Sequence, residues 1–155
     1  MGGPPWALFR TAAAAAPCRV VWADLARRLT AAALANECAR DQIPLNTCYL
    51  VTTADAPTAL RVAAWLNSTW MRAVARLAAP PAANGFARFG AQVVGGLPLP
   101  DAVLTDDALD HLASAAASGL PIQTELDVLT ARHLGLAPPA AEALASVERN
   151  ASRRR

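Results

Sequence analysis

Pro57 and the Pro80-Pro81 pair bracket a stretch that contains neither proline nor glycine, and the bracket predicts one helix over about Pro57 to Ala79. Proline is tolerated in a first helical turn but not further in, so the later pair ends what Pro57 begins. Asp55, two residues ahead, is suited to cap it. On a helical projection Ala59, Ala63, Leu66, Trp70, Val74 and Leu77 share one narrow arc, a stripe that can seat on a core. The opposite arc holds Arg61, Trp65, Ser68, Arg72 and Arg76. That spacing predicts an outward guanidinium face with an indole at its centre, able to grip phosphates while Trp65 packs on a sugar or base. The alternative for the same residues is a solvated face whose tryptophan packs beneath a neighbouring segment.

Arginine supplies every basic side chain: the 14 cationic residues include no lysine. Beside so much alanine and proline, this bias points first to a GC-rich coding sequence, so arginine usage alone is weak evidence for phosphate binding, although arginine suits that task. The net charge is +2 and the last three residues are all arginine, so a polyanionic partner has to be argued from local clustering. A chain of 155 residues is long enough for one domain with a core that needs no disulfide or metal. Cys18, Cys38 and Cys48 lack CxxC spacing and read as small buried thiols of a reducing compartment. No apolar run is long enough to cross a bilayer, and the alanine tract Thr11–Pro17 is too short and too weakly hydrophobic for a signal core. The expectation is a soluble, cytoplasmic protein.

Taken in order, residues 1–17 read as a flexible lead carrying the apolar patch Trp6–Arg10. Residues 18–100 read as an α+β core, 101–149 as a helical region and 150–155 as a solvated basic tail. Cys18–Trp22 is β-branched and aromatic, hence a strand. Asp24–Arg28 reads as a turn or a brief helix start, and Leu29–Ala35 is assigned to strand from its place between extended segments. Leu45–Thr52 alternates, with Leu45, Thr47, Tyr49 and Val51 on one face. Ala82–Gly85 is a turn, and Val93–Leu99 a short extended piece bent at Gly95-Gly96. Helices follow from Thr105, from Thr124 to His133 and from Pro138 to Glu148. The fold class expected is α+β: short, mainly antiparallel strands packed on a long central helix, with a helical C-terminal third.

Four landmarks fall in a fixed order: Pro44-Leu45-Asn46-Thr47-Cys48-Tyr49-Leu50, Leu66-Asn67-Ser68, Gly85-Phe86-Ala87-Arg88-Phe89 and Leu97-Pro98-Leu99-Pro100. In order and spacing this stretch resembles the C-terminal specificity (target-recognition) domain of adenine-specific DNA methyltransferases of the type IIG restriction–modification kind, the TaqI-like group. Val20–Leu25 and Leu126–Leu136 are similar to its flanks. The resemblance implies a module that sets double-stranded DNA against a methyltransferase catalytic domain or subunit and reads part of the site. The family's Asn/Asp-Pro-Pro-Tyr/Phe motif is not here: the Pro-Pro pairs stand in Gly3-Pro4-Pro5-Trp6, Ala79-Pro80-Pro81-Ala82 and Ala137-Pro138-Pro139-Ala140. Nor does a glycine-rich loop follow a strand. Methyl transfer by this chain alone is not expected, and S-adenosylmethionine is expected on a separate methyltransferase domain.

The DNA-contact candidates are Arg27, Arg28, Asn46, Thr47, Arg61, Trp65, Arg72, Arg76 and Arg88. Arg88, flanked by Phe86 and Phe89 after a glycine turn, suits a guanine edge or a phosphate. Arg27 and Arg28 leave a strand end toward backbone phosphate, and Asn46 and Thr47 face either DNA or neighbouring strands. Asn67, at the edge of the apolar stripe, is read as an amide that ties down an adjacent segment. His111 and His133 lie on different helices without companion ligands, so no metal site is expected. His133 near a helix C-terminus reads as a dipole partner. Two other readings stay open: a protein-interaction module that docks on a catalytic subunit without touching DNA, and a truncated gene remnant.

Overall fold

Valine and tryptophan at alternate positions give Arg19–Ala23 (β1) one inward face, and Val20 and Trp22 are buried on it. A computed structural model describes residues 11–35, 39 and 41–153. The expected patch Trp6–Arg10, Cys38 and the last two arginines lie outside them. Thr11–Ala14 (α1) precedes β1, and Leu25–Ala26 (β2), Ala31–Leu34 (β3) and Cys48–Thr52 (β4) follow it. The central strand β1 pairs antiparallel with β3 on one side and β4 on the other, with Val20 opposite both Ala33 and Val51. Ala87–Arg88 (β5) pairs antiparallel with β2 in a second, two-stranded sheet. Arg19 is fully buried at the head of β1, where its guanidinium donates to the carbonyls of Ala16, Ala39 and Gln42 and ties both flanking segments to the sheet.

The predicted central helix is two helices, Ala56–Leu66 (α2) and Thr69–Ala78 (α3). Asp55 caps α2 as expected, its side chain accepting from the Thr58 N–H at 2.8 Å. The break falls at Asn67-Ser68, two residues whose side chains compete for backbone hydrogen bonds. Ser68 is extended (ψ 152°) and caps α3 by accepting from the Met71 N–H. Asn67 turns its amide to the edge strand β3, accepting from the Ala31 N–H at 3.0 Å and donating to the Ala31 carbonyl at 2.7 Å. One amide thereby covers an exposed sheet edge.

The break re-aims part of α3, while the helix Asp107–Ala117 and the Pro98 loop close over the far side of α2; Trp70 and Val74 stay packed against the core. Trp65 and Ser68, expected to face out, are fully buried, and Arg72 keeps 9% of its exposure; Leu77, expected on the core, is 66% exposed. α2 packs on β1 and β3, and α3 packs chiefly on the C-terminal helices. Ala91–Gly95 (α4) replaces the expected extended piece, with Gly95 and Gly96 closing a short helix instead of bending a strand. Asp107–Ala117 (α5), Gln123–Leu134 (α6) and Pro138–Arg153 (α7) complete the chain. α6 ends on Gly135, whose φ of 60° is the left-handed conformation a helix C-terminus favours. α7 continues through the described part of the expected tail. The fold is α+β, with small antiparallel sheets and a helical C-terminal part. Among the described residues no helix is long and apolar enough to cross a membrane.

Candidate nucleic-acid interface

Asp24, in the turn between β1 and β2, gathers three segments at one end of the sheets. Its N–H donates to the Thr47 carbonyl at 2.8 Å, its carbonyl accepts from the Phe89 N–H at 2.6 Å, and its carboxylate accepts from Arg88 Nη1 at 2.6 Å. β2–β5 pairing sets Arg88 opposite Leu25, so the guanidinium stands at the sheet margin with its side chain 60% exposed. Two residues from Leu25, Arg27 lies over the Phe86 ring, 5.3 Å from its centroid. Asn46 and Thr47 are exposed in the loop that enters β4. Arg27, Asn46, Thr47 and Arg88 are therefore brought to one rim. Arg28 is turned away from them, its Nε 3.5 Å from Glu148 of α7.

The helix-borne candidates are not on that rim, and no guanidinium face exists on the central helices. Arg61 donates to the Leu104 carbonyl at 2.7 Å and sits 3.3 Å from Asp110, held against α5. Trp65 is enclosed, with Nε1 donating to the Pro98 carbonyl at 2.9 Å and its ring edge-on to His133 at 6.0 Å. Arg72 donates through Nε to the Leu29 carbonyl, through Nη1 to Gln123 and through Nη2 to Asn67. Burial, with Arg28 nearby, pulls its pKa down to about 10, which still leaves it cationic at neutral pH. Arg76 is half-buried with its Nη1 enclosed. Two causes act: α5 and the loop through Pro98 cover the outer arc of α2, and beyond the turn at Asn67-Ser68 α3 packs on the C-terminal helices.

Sequence reasoning misses Asp24 as an organiser, Tyr49 as an exposed aromatic (38%) and Gln92, which is exposed on α4. Tyr49 lies directly opposite Trp22 across β1–β4, with the rings stacked at 6.2 Å and 24°. The alternation of Leu45, Thr47, Tyr49 and Val51 is the signal that could have found it, since this face is the exposed one. Gln92 has none, because its segment reads as extended.

His133, in the last turn of α6, places Nε2 2.6 Å from Asp106, and Asp106 also caps α5 by accepting from the Leu109 N–H at 2.9 Å. Burial pushes the Asp106 carboxyl up, but hydrogen bonds from Leu109, His133 and Ala108 outweigh it and hold the group below its usual 3.8. A depressed carboxyl contributes stability above its unfolded pKa and loses it as pH falls through the folded value. Asp106→Ala is expected to cost about 1 kcal/mol near neutral pH through the lost cap. The gap to wild type should narrow below pH 3.8, read as urea midpoints along a pH series. An equal gap at all pH values would show that the cap acts through shape alone.

Among the described residues no group of three His, Cys, Asp or Glu could hold a metal ion, and Cys18 and Cys48 are free thiols. No family model, no characterised protein and no solved structure matches the chain.

Proposed function

We propose that this chain is a DNA target-recognition module that works with a separate adenine-specific methyltransferase subunit or domain, in a type IIG restriction–modification or related phage-defence system. S-adenosylmethionine and the catalytic residues belong to that partner. The observation that carries the reading is the convergence of Arg27, Arg88, Asn46 and Thr47, all exposed, around Asp24. Arg27 suits a phosphate contact, Arg88, whose charge Asp24 compensates, suits a guanine edge through its remaining N–H groups, and the two short polar side chains between β-segments suit positioning. The ordered landmarks between Pro44 and Pro100 add to this, since two of the four supply rim residues.

Fluorescence anisotropy of the full chain with a labelled duplex, across a salt series, tests it. The Arg27→Ala, Arg88→Ala double variant is expected to bind about tenfold more weakly. Its salt slope should also be shallower by roughly 0.9 for each phosphate that the variant leaves unneutralised. Arg61→Ala, which removes an internally held guanidinium, should leave duplex affinity unchanged. A wild-type chain with no duplex affinity at low salt, alone or with a methyltransferase partner, would sink the proposal.

A second reading rests on its own observation. Leu25, Ile43, Leu45 and Val51 are exposed beside the same rim, with Leu45 at 75%, and such aliphatic surface suits docking on a catalytic subunit without DNA contact. Under that reading the double arginine variant binds its protein partner and shows no duplex binding to lose.

A further inference from the structure

A cleft of about 360 Å³ opens beside the rim, lined by Asp24, Tyr49, Arg88, Gly90 and Gln92 among others. It lies at the small end of the range usual for ligand clefts, about 300–1,000 Å³. One wall is aromatic and firmly held. Tyr49 stacks against Trp22, and Trp22 is buried and anchored by its Nε1 donating to the Phe89 carbonyl at 2.8 Å. Opposite the tyrosine hydroxyl stands Gly90, where an added Cβ would come within 3.9 Å of it.

The polar groups of the cleft are neutral in sum. Asp24 and Arg88 are paired through Oδ2 and Nη1, which leaves a carboxylate oxygen as acceptor and further guanidinium N–H groups as donors. The exposed Gln92 amide adds donor and acceptor capacity. A compensated charge does not select phosphate. An aromatic wall beside both donors and acceptors suits a flat, uncharged heterocycle with hydrogen-bonding edges. A base inside a duplex has both faces covered by its neighbours, whereas an unpaired one can lie on an aromatic ring.

We infer that this cleft takes a single unpaired nucleobase, stacked on Tyr49 and hydrogen-bonded at its edge by Gln92 and the Asp24–Arg88 pair. The inference rests on the nucleic-acid reading above and deepens it: the module senses a base that has left the stack, or a single-stranded end, besides gripping a duplex.

The test compares a blunt duplex with the same duplex carrying a short single-stranded end, using the full chain and anisotropy. Wild type is expected to prefer the tailed duplex by about tenfold, within the range for one base–aromatic stack. Tyr49→Ala should abolish that preference and leave blunt-duplex affinity unchanged, and Tyr49→Phe should keep it. Gln92→Ala, at an exposed position, should reduce the preference and guards against a folding defect in the tyrosine variant. With 2-aminopurine in the tail, wild type should quench its fluorescence and Tyr49→Ala should not. Equal wild-type affinity for both duplexes overturns this inference while duplex recognition stands. Binding to the tailed form alone supports the cleft and overturns duplex recognition. Binding to neither overturns both.

Discussion

Trp65→Ala is expected to destabilise the chain by about 3–5 kcal/mol, the cost typical of emptying a large aromatic from a core. The indole is fully buried, bonded to the Pro98 carbonyl and edge-on to His133, so removing it opens a void between α2, the Pro98 loop and α6 at once. A domain of this size has roughly 5–15 kcal/mol in hand, so the loss would consume a large share of it. Trp65→Phe keeps most of the volume and forfeits chiefly the hydrogen bond, about 1 kcal/mol. Urea unfolding followed by far-UV circular dichroism separates the cases. An outward-facing tryptophan that packs on DNA would give an alanine variant with an unchanged midpoint and weakened DNA binding, and that outcome would contradict the burial of the indole. A wild-type chain with no cooperative transition would instead favour a gene remnant.

What is legible in the sequence is mostly what local chemistry fixes. β1 is readable from Val20-Val21-Trp22, because β-branched and aromatic residues rarely cluster so in a helix. The cap at Asp55, the stop at Pro80-Pro81 and the close of α6 at Gly135 are readable because each depends on one or two residues and a backbone rule. The α+β class follows from those elements. The single central helix fails although a local cue speaks against it. Asn67-Ser68 is a stop-and-restart signal, since both side chains offer the backbone an alternative to helix, but a continuous apolar stripe argues for one rod. Breaking the rod turns Arg72 inward and Leu77 outward while Trp70 and Val74 stay against the core, so the error in one turn becomes an error at the arginines of the second helix.

The candidate site divides along the same line. Arg27, Asn46, Thr47 and Arg88 stand in turns and strand ends, where exposure follows from position, and the structure leaves them exposed. Arg61, Trp65 and Arg72 stand on helices whose surroundings are set by α5, α6 and α7, and no local pattern in residues 57–79 encodes what those distant segments cover. Asp24 is hidden for a related reason. Its role comes from three partners, all of them more than 20 residues away.

Arg72→Met is expected to lower stability by about 3 kcal/mol and to do so in a pH-dependent way. The methionine fills much of the space but removes the donor to the buried Leu29 carbonyl and one of the two donors to the Asn67 oxygen, while the exposed Gln123 oxygen turns to water. Removing one member of a buried polar network costs the desolvation of what remains. The pH dependence arises at Glu148, which burial raises above its usual 4.5 while Arg28 and Arg72 hold it down. A raised carboxyl contributes stability below its unfolded pKa and loses it as pH rises through the folded value. Without Arg72 that folded value moves higher, so ionised Glu148 costs more in the folded state. The deficit against wild type should therefore be larger at neutral pH than at pH 4.5. Urea midpoints of both chains at the two pH values measure it. Under this arrangement, any loss of DNA affinity in an Arg72 variant tracks its unfolded fraction and returns when the chain is refolded by cooling. A fully folded Arg72 variant with a normal midpoint and no duplex affinity would mean that the guanidinium reaches DNA after all, and the rim around Asp24 would no longer be the place to look.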